Sequence, residues 1–276
     1  MRFAAKVLLA LFAIFLSFPV IMVVFGAFRM DDGMLKMPPE IIPNIHDLTL
    51  KNWIVLFRYE IIRWTANTLF VALCSTVGML CITTMAAYAF AKKRFPGKEI
   101  LFWIFFATMM IPGTVTFIPR FVLMVRLKLI GTLASLIIPN GFSIYYMFFL
   151  RQYLTDIPQD MIDTAMIDGA SEYRQFVSIV IPLSLPALAT VALLTVLGHW
   201  YDFLTPLTLL FDRAKYTIVL GIQQVLYDDA MQRQQEWKVN YGLMMAGGMY
   251  LMLPGILMFT FFHRYLAHGL WGDSIK

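Results

Sequence analysis

"DTAMIDGASEYRQFVSIVIPLSLPAL", residues Asp163 to Leu188, runs a charged, helix-forming segment with one glycine near its middle straight into a stretch without a charge. The chain around it explains why that is unusual. Of its 276 residues 60% are hydrophobic and only 14% charged, against roughly 25% charged in a soluble domain. Each Asp, Glu, Lys or Arg costs about 2.5 to 3.5 kcal/mol at a bilayer centre, so spans are sought as runs that lack them. Six appear: Val7–Phe28, Trp64–Ala91, Ile100–Pro119, Leu129–Leu150, Gln175–Tyr201 and Val239–His263. A bilayer core takes about 20 helical residues, and the runs predict an all-α, polytopic membrane protein. Its six spans fall at about 7–28, 66–91, 100–119, 132–150, 179–201 and 242–263, within one membrane domain over 1–276. Barrel strands are excluded because the runs do not alternate.

The opening stretch belongs to the longest polar interval between spans four and five. In "TDIPQDMID" Asp156 stands as a helix cap, Pro158 in the first turn and Gln159 three residues after the cap. Met161, Ile162, Ala165 and Met166 then share one face. Gly169 interrupts the pattern, and Ser171 can cap a second short helix that carries Tyr173, Phe176 and Val177 toward Pro182. The segment 156–178 therefore reads as helix, turn, helix, then membrane entry. A solvated loop is the plainer alternative, but an amphipathic hairpin has to place its apolar face on a partner or the membrane surface.

Orientation follows from one loop. With the amino terminus inside, Lys and Arg number 10 inside and 12 outside, which separates nothing. The densest cluster, "KKRFPGK" at Lys92–Lys98, lies in the shortest loop, and the rule is read over short loops. Placing it inside puts both termini in the cytoplasm. The first run follows Arg2 and Lys6 as a signal peptide's would, yet its 22 uncharged residues exceed the roughly 7–15 of a signal core, so a retained span is expected. The outer segment after it holds "KMPPEIIP", an extended linker, and "DLTLKNW", the start of a short helix. Cys74 and Cys81 lie seven apart within one span and read as packing residues. A net charge of +5 without a basic stripe interleaved with aromatics excludes nucleic acid.

The opening stretch resembles the cytoplasmic coupling motif of ABC importer permeases: EAA, three residues, G, nine residues, I-x-L-P. Here it stands as Asp163-Thr164-Ala165, Met166-Ile167-Asp168, Gly169, nine residues to Ser178, then Ile179-Val180-Ile181-Pro182. Asp163 replaces the usual Glu and Thr164 the first Ala. "AAYAFAKKRFPGK", "MMIPGTVTFIP", "FFLRQYLTDIP", "DGAS", "WYDFLTPL" and "HRYLAHGL" extend the resemblance over nearly the whole chain, to the carbohydrate branch and its maltose-type second six-span permease. Tyr201 stands where that branch commonly has Asn.

The resemblance implies a subunit forming half of a translocation pathway, with a second homologous permease, two ATP-binding subunits, an extracellular or periplasmic solute-binding protein, and a sugar or oligosaccharide as substrate. ATP and Mg would sit on the partner ATPase and no cofactor on this chain. The location implied is a bacterial inner or plasma membrane. Asp163, Ala165, Asp168, Gly169, Ile179 and Pro182 would form the ATPase-coupling site, Asp163 pairing with a basic residue, Gly169 permitting the turn and Ala165 keeping the docking face small. The chain has no GxxxxGK[ST], HExxH or Cys/His metal spacing, so neither ATP binding nor catalysis is expected of it.

Candidate pathway residues are the polar groups in or beside spans: Asn67, Asn140, Ser143, Tyr145, Trp200, Tyr201 and Asp202. Each has an ordinary structural alternative, helix contact for the first four and interface anchoring for the last three. A glycerol 3-phosphate or polyol permease is the runner-up, although a phosphate would want Arg or Lys facing the pathway and the six runs contain none. A self-contained channel or secondary transporter would leave the hairpin unexplained. A scaffold subunit without transport of its own would be told apart by subunit stoichiometry.

Overall fold

The computed structural model describes residues 2–29, 45–232 and 240–271, and side chains up to Phe261. "KMPPEIIP" and the side chains of "HRYLAHGL" lie outside the described residues. Thirteen helices follow one another among those described: α1 (Arg2–Ala27), α2 (Lys51–Phe57), α3 (Ile61–Lys92), α4 (Lys98–Thr108), α5 (Gly113–Arg126), α6 (Ala134–Ile137), α7 (Ile144–Thr155), α8 (Gln159–Ile167), α9 (Glu172–Gln175), α10 (Ile181–Trp200), α11 (Leu204–Leu209), α12 (Ile218–Gln232) and α13 (Tyr241–Trp271). There is no strand among the described residues beyond an isolated bridge between Arg29 and Leu48.

Six continuous spans were expected, and four helices have the length and apolarity to cross a membrane: α1, α3, α9 continued through α10, and α13. The third run is two helices, α4 and α5, bent by 96°. The break falls at "MMIPG", where Pro112 takes ψ 136 ahead of α5, and proline forces the residue before it out of helical geometry as well. Counted as one span, the pair makes five. The fourth run is not one helix either. Pro139 and Gly141 interrupt it, a 3-10 turn covers Ile138–Asn140, and α7 starts afresh with Ser143 Oγ accepting from Tyr146 N.

The chain forms two compact units, residues 1–65 with 217–256 and residues 66–216 with 257–276. In the first, the Asn52 amide donates to the carbonyls of Ala27 and Arg29. Trp64, Leu56, Ile61, Ile218 and Leu243 form its buried centre, with Trp64 lying flat against Gly221. The most apolar 18 residues of α1 bury nothing inside the chain, and burial begins only at its end, with Gly26 and Ala27.

The second unit holds the core that positions the hairpin. Met79, Tyr88 and Phe90 of α3, Phe102 of α4, Leu150 and Leu154 of α7, Ile162 of α8 and Ala187 and Val191 of α10 pack into one buried cluster. Aromatic contacts knit α3, α4 and α7 together, the Phe102 ring lying 5.9 Å from Phe90 and 6.0 Å from Phe148. Buried Thr68, Ser75, Thr83 and Thr84 along α3 are the small polar residues that let helices approach closely.

Candidate functional site

The hairpin expected from sequence is present, with one correction at its start. Asp156 does not cap α8. It closes α7, and Pro158, at φ −57 and ψ 132, opens α8 without a side-chain cap. The proline supplies the entry geometry by its fixed φ, so the polar cap is dispensable.

At the far end of α8 the backbone forms a full Schellman closure. Ala170 N donates to Ala165 O at 2.9 Å and Gly169 N to Met166 O at 3.0 Å, with Gly169 at φ +79. That left-handed conformation is why the motif needs glycine here. Ser171 then caps α9 as expected, its Oγ accepting from Arg174 N. Gln175 is buried, and its Nε2 donates back to Ala170 O. A π-turn, Phe176–Val180, carries α9 into α10. Pro182 has no N–H to offer the carbonyl of Ser178, which favours the wider turn at this place.

The expected apolar stripe of α8 divides in two. Ile162 is buried in the core and Ala165 half-buried, whereas Met161 and Met166 are exposed. On the free side Ile167 is 84% exposed and Tyr173 77%. These are large apolar groups exposed on a polar hairpin. Between the two short helices lies a notch of about 200 Å³ lined by Ala165, Asp168, Ala170, Arg174, Ser178 and Ile179. Of the coupling residues predicted from sequence, Ala165, Asp168 and Ile179 line this notch, Gly169 forms the turn beside it, and Asp163 on α8 and Pro182 in the first turn of α10 lie outside its lining. Asp163 is half-buried, and its Oδ1 accepts from Gln159 Nε2 at 2.9 Å.

The pathway candidates do not form one site. Asn67 Nδ2 donates to the carbonyls of Ala214 and Tyr216. Ser143 caps α7 and its N donates to Thr83 Oγ1. Tyr145 is 62% exposed beside Tyr146. Trp200 is buried, Tyr201 half-exposed, and Asp202 Oδ1 accepts from Thr205 N at the start of α11. Asn140 has a charged partner: its Oδ1 accepts from Arg120 Nη2 at 3.2 Å. Sequence reading missed Arg120. Arg120 was taken as the residue that ends the third run, and the signal that could have recovered it was the Pro-Gly pair that turns the chain back into helix before it. Among the described residues no group of three or more His, Cys, Asp or Glu could hold a metal ion.

Comparison with known proteins follows the same geometry. The sequence profile of the family described as "Binding-protein-dependent transport system inner membrane component" matches residues 79–272, from the middle of α3 through the hairpin and α13. The chain belongs to this family. The permease is 30% identical over 269 residues to the arabinooligosaccharides transport system permease protein AraQ of Halalkalibacterium halodurans, with 97% of this chain and 94% of that one covered. It is 26% identical over 271 residues to the diacetylchitobiose uptake system permease protein NgcG of Streptomyces coelicolor, with 96% and 87% covered. Relatives named for glycerol 3-phosphate transport also match, one from Pectobacterium atrosepticum at 32% over 206 residues, 74% and 70% of the two chains. A crystal structure of a bacterial ABC transporter involved in the import of the acidic polysaccharide alginate has a chain with the same fold, TM-score 0.83 at 21% identity, 96% and 95% covered. The permease is accordingly a multi-pass membrane transport subunit and works with other transporter subunits.

Proposed function

We propose that this permease forms half of the translocation pathway of an ATP-driven importer for a sugar or oligosaccharide, and that α8 and α9 couple it to a separate ATPase. The observation that carries the coupling is the exposed pair Ile167 and Tyr173 on a hairpin whose other face is fixed by Ile162. Burying a large apolar side chain contributes about 1.5 to 3 kcal/mol, and a face so exposed next to a half-buried carboxylate, Asp163, suits a cleft with an apolar floor and a basic rim. Asp163 pairs with that rim, Gly169 sets the turn and Ala165 keeps the contact close. Asp168 and Ile179 line the notch that receives a partner side chain.

The chain acts as one membrane domain and pairs with a second homologous permease. Two ATP-binding subunits carrying ATP and Mg dock beneath, and an extracellular or periplasmic binding protein delivers the substrate. It lies in a bacterial inner or plasma membrane with both termini in the cytoplasm. Relatives named for arabino-oligosaccharides and diacetylchitobiose support the sugar reading. Nucleotide binding drives the cycle only through unequal affinity for the inward-open and outward-open states, and the hairpin is where that inequality enters this chain.

The test is gentle purification of the tagged chain from native membranes, identification of copurifying subunits, and an ATP hydrolysis and sugar-uptake assay. A second permease, an ATPase pair and sugar-stimulated hydrolysis are expected. Recovery of a lone chain that transports without nucleotide sinks the reading in favour of a secondary transporter.

A further inference from the structure

The inner ends of α3 and α7 lie side by side. Helix C-termini leave carbonyls unpaired and attract cations, and here each helix answers the other. Arg151 of α7 donates from Nε to Phe90 O at 3.3 Å, its guanidinium lying 4.1 Å from the centre of the Phe102 ring. In return Lys92, the last residue of α3, donates from Nζ to Thr155 O at 3.3 Å and to Ile157 O. Those two carbonyls belong to the end of α7 and to the linker that enters α8.

The next residue reaches the other end of the hairpin. Lys93 Nζ lies 2.8 Å from Glu172 Oε1 in the first turn of α9, a place where a carboxylate is also favoured by the helix N-terminus. Lys93 further sits 5.3 Å from the centre of the Tyr88 ring, and Lys98 Nζ bonds its carbonyl at 2.9 Å. Two consecutive side chains thus hold the entry and the exit of residues 158–171.

We propose that Lys92 and Lys93 are positioning residues that clamp the hairpin to α3 at both of its ends, so that movement imposed on the hairpin passes directly into that span. A hairpin held at one end pivots and loses the displacement. Held at two, it turns the helix it hangs from. The inference rests on the docking role proposed for α8 and α9, and it gives the "KKRFPGK" loop a task beyond orienting the chain in the membrane.

The test uses the complete transporter in proteoliposomes, with K93E, E172K, the K93E/E172K pair and K92M, reading ATPase subunits retained and sugar moved per ATP hydrolysed. The single reversals are expected to keep their ATPase subunits but lose roughly fivefold in sugar per ATP, the fold-change of an exposed ion pair at the upper end of its usual worth. The double reversal is expected to recover most of that loss. To separate coupling from folding, a second measurement joins K93C to E172C with a short bis-maleimide in a C74A/C81A background, where transport is expected to survive cross-linking. Single reversals that keep the wild-type ratio, a double that stays as low as the singles, or transport arrested by the cross-link each overturn the clamp. Absence of any ATPase from the wild-type complex is a different outcome and removes the docking reading on which the clamp stands.

Discussion

Gln159 Nε2 donates to Asp163 Oδ1 at 2.9 Å, one helical turn apart on the outer face of α8. The bond holds the carboxylate over the hairpin while leaving its second oxygen free, so the acid that replaces the motif's usual Glu is presented in a fixed direction. Asp163→Lys is expected to weaken retention of the ATPase by at least about tenfold, the equivalent of roughly 1.4 kcal/mol, measured by titrating purified ATPase onto the permease pair. Gln159→Ala should leave retention within about twofold, because a half-buried carboxylate without this bond still finds its partner.

Gly169 offers a cleaner probe of the turn. A Cβ there would meet nothing within 4 Å, so Gly169→Ala carries only the backbone penalty of a left-handed residue, about 1 to 2 kcal/mol. Lower coupling and a lower melting temperature are expected for the alanine variant. Asn, which tolerates this conformation better, should fall between alanine and wild type.

Gly221 tests packing instead. A Cβ at this position would lie 2.0 Å from the nearest atom of the Trp64 ring, whereas one at Gly198 in α10 would meet nothing within 4 Å. Gly221→Ala is expected to destabilise the protein by about 1 to 3 kcal/mol and Gly198→Ala to leave it unchanged or slightly firmer. Thermal unfolding in detergent, followed by tryptophan fluorescence, separates the two.

Asn67 was an expected pathway residue, and its amide is occupied by Ala214 and Tyr216. Asn67→Ala leaves two carbonyls without their donor, at about 1 to 3 kcal/mol. The expected result is a lower melting temperature with an unchanged KM for sugar uptake. A raised KM at unchanged stability would return Asn67 to the pathway.

The clamp at Lys93 predicts a pH dependence. Burial alone would lower the ammonium pKa, but the hydrogen bond it donates to Glu172 and the neighbouring Tyr88 outweigh it and leave the group raised. A folded-state value above the unfolded one gives a contribution fully present below about pH 10.4 and lost as pH rises through the folded value. Sugar per ATP should therefore stay flat across neutral pH and fall only on the alkaline side. Lys93→Arg, which stays protonated, should delay the fall.

Much of this was readable without coordinates because the signals are local. Gly169 and Ser171 announced the turn and the cap by residue type alone, and the uncharged runs announced helices in lipid. What escaped was set by proline and backbone geometry that a count of charges or of cap residue types does not register. The third run is uncharged through "MMIPG", so a charge count continues it, yet the chain bends there because Pro112 ends α4 and the amides of Met109, Met110 and Ile111 bond back to α4 carbonyls. Arg120 lay beyond that bend and was read as a loop residue, although it stands inside α5 against Asn140. Asp156 has the residue type of a cap, but Pro158 had already fixed the helix start.

The π-turn at Phe176–Val180 makes the length of this segment as decisive as its chemistry. Successive residues of a helix are offset by roughly 100°. Deleting one residue between Phe176 and Val180 would convert the wide turn to ordinary helix and swing Ile167 and Tyr173 about a quarter-turn around the axis of α10. Every side chain of the docking face would remain, aimed at the wrong neighbour. Substitutions can drift across this hairpin as long as its shape survives, but an insertion or deletion at the π-turn amounts to a change of compass bearing, and lineages in this family should hold the count between Gly169 and Pro182 fixed.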